Sequence, residues 1–146
     1  RRGITSNRDA LNGYQKGKCF YSGADISVLN GSEQLADIDY FIPNKLKPSL
    51  PDLNLDGVWN LVLASKECNR GEGGKFAQLP NIRYLKYLHR RNSYLIKSHH
   101  PLRDSIIMQT GRTEGQRREF LQEIYNRAKD ILIHTWEAPF EYEAQF

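Results

Sequence analysis

Two periodicities organise the apolar residues of this chain. Residues 35–39 alternate between apolar and polar positions, and this period of two places Asp37 and Asp39 on one face of a predicted strand. Residues 58–64 form a nearly continuous apolar run, which predicts a second strand that is central and buried. Most of the remaining apolar residues follow helical spacing.

Capping residues sharpen the helical pattern. A short helix is predicted after Ser65, a good N-cap, and glycines from Gly71 onward end it. Thr113 and Gln116 have the spacing of a capping box. Three prolines within residues 43–52 predict a stiff loop that contains neither helix nor central strand. The longer predicted helices span residues 7–16, 80–97, 101–110 and 114–134.

These elements predict an α+β protein with a single domain. Residues 7–75 contain both strands and the short helix, and form the predicted core unit. Residues 79–136 add a helical part with a basic face, and an acidic, aromatic tail follows at 137–146. The 146 residues are enough to bury a hydrophobic core of useful size.

Basic residues are concentrated in one part of the chain. The net charge is +4, yet nine basic residues lie within 66–103 and only two acidic residues oppose them there. A basic face attracts polyanions, with nucleic acid as the first candidate, and the alternative is an ordinary solvated helix face. Tyrosines interleaved with these residues either stack on bases or complete the core. The candidate nucleic-acid contacts are Arg70, Lys75, Arg83, Lys86, Arg90 and Arg91.

Several classes of protein are disfavoured. No apolar run approaches the roughly 20 residues of a membrane-spanning helix, so no membrane partner is expected. Two cysteines cannot build a disulfide framework, which predicts a reducing, cytoplasmic setting. Because the chain opens with Arg-Arg-Gly and no Met, we expect it to be part of a longer protein with further domains.

The two aspartates of the first strand carry the local argument for a metal site. Two carboxylates on one strand face repel each other, and they need a cation or a hydrogen-bond donor between them. The alternative is a pair of exposed acidic residues at the end of a strand.

Three segments in fixed order extend this argument: A-D-I-D-Y-F-I-P at 36–43, W-N-L-V-L at 59–63 and C-N-R-G at 68–71. Their order and spacing resemble the motif of HNH, or ββα-metal, endonucleases. That resemblance implies a two-stranded antiparallel sheet and a helix, with a divalent metal held between the first strand and the helix. It covers residues 14–75, which is under half of the chain.

The resemblance also implies roles for individual residues. Asp39 and Asn69 would bind Mg²⁺ or Mn²⁺ through oxygen atoms, with Asp37 supporting them from the same strand face. Tyr40 occupies the position of the general base, and Asn60 that of the asparagine that braces the loop carrying the base. Arg70 would contact phosphate, and Lys75 would replace a family lysine whose position is Glu72 here.

Two departures from the family pattern affect the expected chemistry. The base position normally holds His, and a phenol has a pKa near 10 against about 6.5 for an imidazole. Tyr40 is therefore either an unusual base or the mark of an inactive form. The family's two zinc-binding C-x-x-C pairs correspond here to Cys19 with Ser22 and Ser65 with Cys68. A serine hydroxyl is a poor zinc ligand, so no structural zinc is expected. The two remaining thiols are then either neighbours or unrelated core residues.

The sequence therefore predicts a metal-dependent endonuclease that hydrolyses phosphodiester bonds of DNA, related to restriction, defence or mobile elements. The first alternative is a catalytically inactive nucleic-acid-binding module with the same fold. A third possibility is a structural or protein-interaction domain that uses the acidic tail.

Overall fold

A computed structural model describes residues 8–142 of the protein. Asn7, the predicted first residue of the first helix, and the last four residues of the predicted tail lie outside this range. The helices are α1 (Arg8–Gln15), α2 (Lys66–Arg70), α3 (Leu85–Lys97), α4 (Arg103–Thr110) and α5 (Glu114–Ile131). The strands are β1 (Asp37–Tyr40), β2 (Leu61–Ala64), β3 (Leu79–Pro80) and β4 (Thr135–Trp136).

The protein is α+β, and its small antiparallel sheet is built from β1 and β2. Asp37 lies opposite Ala64, and Tyr40 lies opposite Leu61. All four residues of β2 are buried, as the apolar run predicted. The predicted strand 58–64 nevertheless starts late, because Val58–Asn60 form a 3₁₀ turn before β2 begins.

Helix α3 packs against the entry to β2 through a buried arginine. Arg91 is fully buried, and its guanidinium donates to the carbonyls of Leu61 at 2.7 Å and Val58 at 2.8 Å. The Val58 carbonyl also accepts the backbone N–H of Leu61, so Arg91 adds a second donor to the 3₁₀ turn and links it to the first residue of β2. Burial lowers the pKa of Arg91 to about 10, which leaves it a cation at neutral pH.

Local signals placed two helix starts correctly. The Ser65 hydroxyl accepts from the backbone N–H of Cys68 at 3.1 Å, which confirms it as the N-cap of α2. Thr113 and Gln116 form the predicted capping box at the start of α5.

Two predictions about prolines were wrong. Residues Asn44–Ser49 form a 3₁₀ helix that includes Pro48, within the segment predicted to lack helix. A short 3₁₀ helix tolerates this proline because few of its backbone N–H groups need a partner inside the helix. Pro80 does not begin a helix: it belongs to β3, which pairs in parallel with β4. Asn81 then caps a 3₁₀ turn at Ile82–Tyr84, and α3 follows.

The last long helix ends earlier than its periodicity predicted. α5 stops at Ile131 rather than 134, because the chain turns back to pair Thr135 with Leu79. None of the helices within residues 8–142 is long and apolar enough to cross a membrane.

Candidate functional site

The candidate site lies where β1, α2 and the turn after α2 meet. Strand alternation directs Asp37 and Asp39 to the same side, and both carboxylates contact residues of α2 or of the following turn. Backbone bonds of that turn fix its path, because the N–H of Lys75 donates to the carbonyl of Cys68 at 2.7 Å. Gly73 allows the reversal with a φ of 71°, in the left-handed region that suits glycine.

Asp37 forms the outer part of the site. Arg70 donates to it from Nε at 2.7 Å and from Nη2 at 3.2 Å, while the amide nitrogen of Asn69 donates at 3.0 Å. Burial opposes ionisation of Asp37, but hydrogen bonds from Arg70 and Asn69 outweigh it and hold the pKa of its carboxyl below the usual value. The Arg70 side chain remains 57% exposed, so this ion pair faces solvent.

Asp39 forms the inner part of the site and is sealed from solvent. Its Oδ2 accepts from the Tyr21 hydroxyl at 2.7 Å and lies 3.2 Å from the Lys75 ammonium. The side chain of Lys75 is 0% exposed and that of Asp39 is 7% exposed. Burial raises the pKa of Asp39, and burial likewise lowers the pKa of Lys75. Lys75 also donates to the backbone carbonyl of Tyr40 at 2.9 Å.

Lys75 and Arg91 therefore lie inside the protein, and not on its basic surface. The structure corrects the prediction that these two residues are exposed for contact with phosphate, since a fully buried side chain cannot reach a nucleic acid without rearrangement. The metal was inferred because two neighbouring carboxylates need a cation between them. The Lys75 ammonium supplies this cation at Asp39.

Tyr40 points its hydroxyl at a carboxylate from the loop before β2. The hydroxyl donates to Oδ1 of Asp56 at 2.5 Å. Lys47 donates to both oxygens of Asp56 at 3.0 and 2.9 Å, and its ammonium lies 5.6 Å from the centre of the Tyr40 ring. The predicted base position thus has a direct carboxylate partner.

The Asn60 side chain bonds to the segment after Tyr40 and to the segment before Asp56. Its Oδ1 accepts from the backbone N–H of Ile42 at 2.8 Å, and its amide nitrogen donates to the carbonyls of Ile42 and Leu55 at 3.0 Å each. The side chain is fully buried. A buried amide with these bonds holds two loop segments in one fixed arrangement.

The four positions that correspond to zinc ligands converge beside the site. Cys19 and Cys68 are buried free cysteines, and each thiol shifts the pKa of the other, which favours neighbouring thiols over unrelated core residues. The interaction with Cys68 lowers the pKa of Cys19, and the pKa of Cys68 is raised in turn. Ser22 also bonds Cys19, while Ser65 is occupied as the helix cap.

The other predicted nucleic-acid contacts fall into two groups. Lys86 and Arg90 are exposed on α3, and their charges lie 5.4 and 5.7 Å from the centre of the Tyr87 ring. Arg83 instead pairs with Glu137 at 2.6 Å and with Glu141, so the described part of the acidic tail neutralises it.

The donor atoms around β1 suit a hard divalent cation in type but are already occupied. Asp37, Asp39 and Asn69 carry carboxylate and amide oxygens, the ligands that Mg²⁺ and Mn²⁺ prefer. However, Asn69 turns its amide nitrogen towards Asp37, and Lys75 holds Asp39. Within residues 8–142, no group of three or more His, Cys, Asp or Glu side chains is placed to hold a metal ion. A metal at Asp39 therefore requires the Lys75 ammonium to move away.

Sequence reasoning missed three residues of the site: Tyr21, Lys47 and Asp56. Tyr21 belongs to the turn around Cys19, where its neighbours drew attention only as zinc positions. Lys47 and Asp56 lie in the loop between the strands, and no spacing rule links a loop charge to a strand residue 16 positions away.

Comparisons with protein-family models, with curated proteins and with solved structures give no match to this chain. The function must therefore be argued from the geometry of the site.

Proposed function

We propose that this chain is a metal-dependent endonuclease of the HNH type, which hydrolyses phosphodiester bonds of DNA and forms part of a longer protein. The observation that carries the proposal is the Asn60 amide, which bonds Ile42 on both its backbone groups. In the motif that the chain resembles, an asparagine at this position braces the loop that carries the base. The strand, strand and helix order supports it further, with Asp37 bonded to Asn69 of α2 and Asp39 bonded to Lys75 in the turn that follows.

The chain's own residues would divide the work of hydrolysis. Tyr40 would receive the proton of the attacking water, and the Asn60 brace would keep Tyr40 in place. Arg70, the exposed cation of the site, would contact the phosphate. Asp39 and Asn69 would hold a divalent ion once the Lys75 ammonium has moved away from Asp39, and that ion would stabilise the negative charge that develops on the phosphate.

Nicking of supercoiled plasmid DNA tests this proposal directly. We expect relaxed circles with Mg²⁺ or Mn²⁺, none with EDTA, and loss of at least about 100-fold in rate for Asp39→Ala under conditions in which urea unfolding shows that this variant is folded. An Asp52→Ala protein, altered at an exposed aspartate that pairs with Arg127, is the matched control and should nick like the native protein. Nicking that persists in EDTA would contradict the requirement for a metal.

The second candidate function is a nucleic-acid-binding module that no longer cleaves. It is favoured by one observation, the buried ion pair in which Lys75 occupies Asp39. Under this proposal the native protein binds DNA with the same affinity in Mg²⁺ and in EDTA and produces no nicks. Nicking by Tyr40→His alone would identify a nuclease scaffold whose base has been replaced.

A further inference from the structure

Asp56 and Tyr40 are positioned relative to each other by one buried side chain. The Asn60 amide nitrogen donates to the carbonyl of Leu55, the residue before Asp56, and to the carbonyl of Ile42, two residues after Tyr40. The same bonds that brace the loop therefore hold the segments that carry Tyr40 and Asp56 beside each other, and the Tyr40 hydroxyl donates to the Asp56 carboxylate at 2.5 Å. Lys47 restrains the carboxylate further, because it donates to both of its oxygens.

A phenol alone is poorly suited to take a proton from water near neutral pH. A neutral phenol is a very weak base. A neutral phenol can, however, accept a proton while it gives up its own to a hydrogen-bonded carboxylate. The Asp56 side chain is 41% exposed, so it can afterwards release that proton to solvent.

We propose that Asp56 is the final proton acceptor of the reaction, reached through the Tyr40 hydroxyl, and that Lys47 positions it. This inference rests on the proposed endonuclease function. It adds to that function a residue which the motif does not include, and it explains how a tyrosine can stand at the base position.

The proton transfers balance without a phenolate intermediate. The oxygen of the attacking water forms a bond to phosphorus, and its proton passes to the Tyr40 hydroxyl oxygen. The original hydroxyl proton moves along the existing hydrogen bond to Oδ1 of Asp56. The bond between phosphorus and the leaving oxygen breaks, and that oxygen takes a proton from solvent. Asp56 then loses its proton to solvent, which restores the starting state.

The experiment places the isosteric change Asp56→Asn in two backgrounds, the native protein and Tyr40→His. An asparagine still accepts the hydrogen bond from Tyr40 but cannot take its proton. We expect single-turnover nicking of plasmid with Mg²⁺ to fall by about 100-fold in the native background. In the Tyr40→His background the imidazole keeps the proton itself, and we expect a change of about threefold or less.

Three further proteins make the result specific. Asp52→Asn, an exposed aspartate in the same loop, is the matched control and should nick at the native rate. Asp56→Glu should recover part of the activity, because it restores a carboxylate. Combining Tyr40→Phe with Asp56→Asn should be no slower than Tyr40→Phe alone, since both changes interrupt one transfer. Urea unfolding midpoints and DNA affinity in EDTA show whether each variant is folded and binds.

The remaining outcomes overturn the inference, and they differ in whether the proposed function survives. Equal losses from Asp56→Asn in both backgrounds mean that Asp56 has a structural role only, while the endonuclease function stands. Native nicking that is unchanged by Asp56→Asn rejects the transfer and keeps the function. Nicking by Tyr40→His alone leaves a nuclease scaffold without a working tyrosine. If none of the proteins nicks, both the inference and the proposed function fall.

Discussion

Asp37 and Asp39 lie two residues apart on the same face of one strand, and each pairs with a cation, yet their surroundings differ completely. Asp37 meets Arg70 at the surface, where the arginine side chain is 57% exposed. Asp39 meets Lys75 in the interior, where the lysine side chain is 0% exposed. The pKa of Asp37 is lowered because its hydrogen bonds to Arg70 and Asn69 outweigh burial, whereas the pKa of Asp39 is raised because burial dominates.

The difference shows that access to water, more than the number of charges, decides what each ion pair does. A surface pair gains little energy, because water and salt screen it. Its two members can therefore exchange partners at low cost: Arg70 can bind a phosphate, and Asp37 can bind a metal ion. A buried pair has already lost its hydration, so removing one member leaves an uncompensated charge. Asp37 can thus exchange its partner more readily than Asp39, whose buried pair with Lys75 must open before a metal ion can bind there.

Replacing Lys75 should have the largest effect on stability. Lys75→Met leaves the Asp39 carboxylate buried without a cation, and we expect the free energy of unfolding to fall by about 3–5 kcal/mol at neutral pH. Urea unfolding followed by circular dichroism measures this loss. Lys45→Met changes an exposed lysine and serves as the matched control, with little expected effect.

The double variant Lys75→Met with Asp39→Asn separates loss of charge compensation from loss of packing. An asparagine still accepts the Tyr21 hydroxyl bond but carries no charge, so the second change should restore about 1–3 kcal/mol to Lys75→Met. A double variant that is less stable than Lys75→Met would show that the lysine stem, and not its charge, stabilises this region.

The pH dependence of stability should have opposite signs for the two aspartates. The folded pKa of Asp37 lies below its unfolded value of about 3.9, so its contribution is present above that value. That contribution is lost as the pH falls through the folded pKa. The folded pKa of Asp39 is raised, so its contribution is full below the unfolded pKa and declines as the pH rises through the folded one.

Urea unfolding of Asp37→Asn and Asp39→Asn between about pH 2 and about pH 7 tests these signs. The stability difference between the native protein and Asp37→Asn should shrink towards acid pH, as the Asp37 carboxyl is protonated. The corresponding difference for Asp39→Asn should shift the other way, in favour of the native protein as the pH falls. Slopes of the same sign for both variants would contradict the contrast between the exposed and the buried pair.

Local signals in the sequence were sufficient for much of the fold. Alternation placed Asp37 and Asp39 on one face, and the Ser65 cap and the capping box of α5 depend on residues three positions apart. Such patterns are readable because the interacting groups are near neighbours in the chain. Asn60 was singled out through the resemblance to a known motif, because the hydrophobic periodicity says nothing about the partners of a buried amide.

The direction and depth of charged side chains could not be predicted in the same way. Arg90 and Arg91 are adjacent in α3, yet Arg90 is exposed while Arg91 is buried against carbonyls about 30 residues earlier in the chain. Lys75 reaches Asp39 across 36 residues. A sequence gives the charge of such residues, but burial depends on how distant elements pack. The basic face was therefore overestimated, and the occupied state of Asp39 was missed.

The smallest effect on stability, and the sharpest test of the exposed pair, concerns Arg70. Arg70→Met removes a solvent-facing partner of Asp37, so the urea midpoint should barely move. If Arg70 contacts phosphate, its loss should weaken DNA binding and reduce the slope of log affinity against log salt by about 1. Fluorescence anisotropy with a labelled duplex in EDTA measures both quantities without cleavage.

Arg127→Met provides the matched control for this measurement. Arg127 also makes a two-pronged pair with an exposed aspartate, at 2.8 Å to each oxygen of Asp52, but it lies on α5 and outside the candidate site. Its replacement should leave the salt slope at the native value. If Arg70→Met also keeps the native slope of log affinity against log salt, Arg70 does not contact phosphate and pairs only with Asp37. The exposed pair would then be no more able to exchange partners than the buried one.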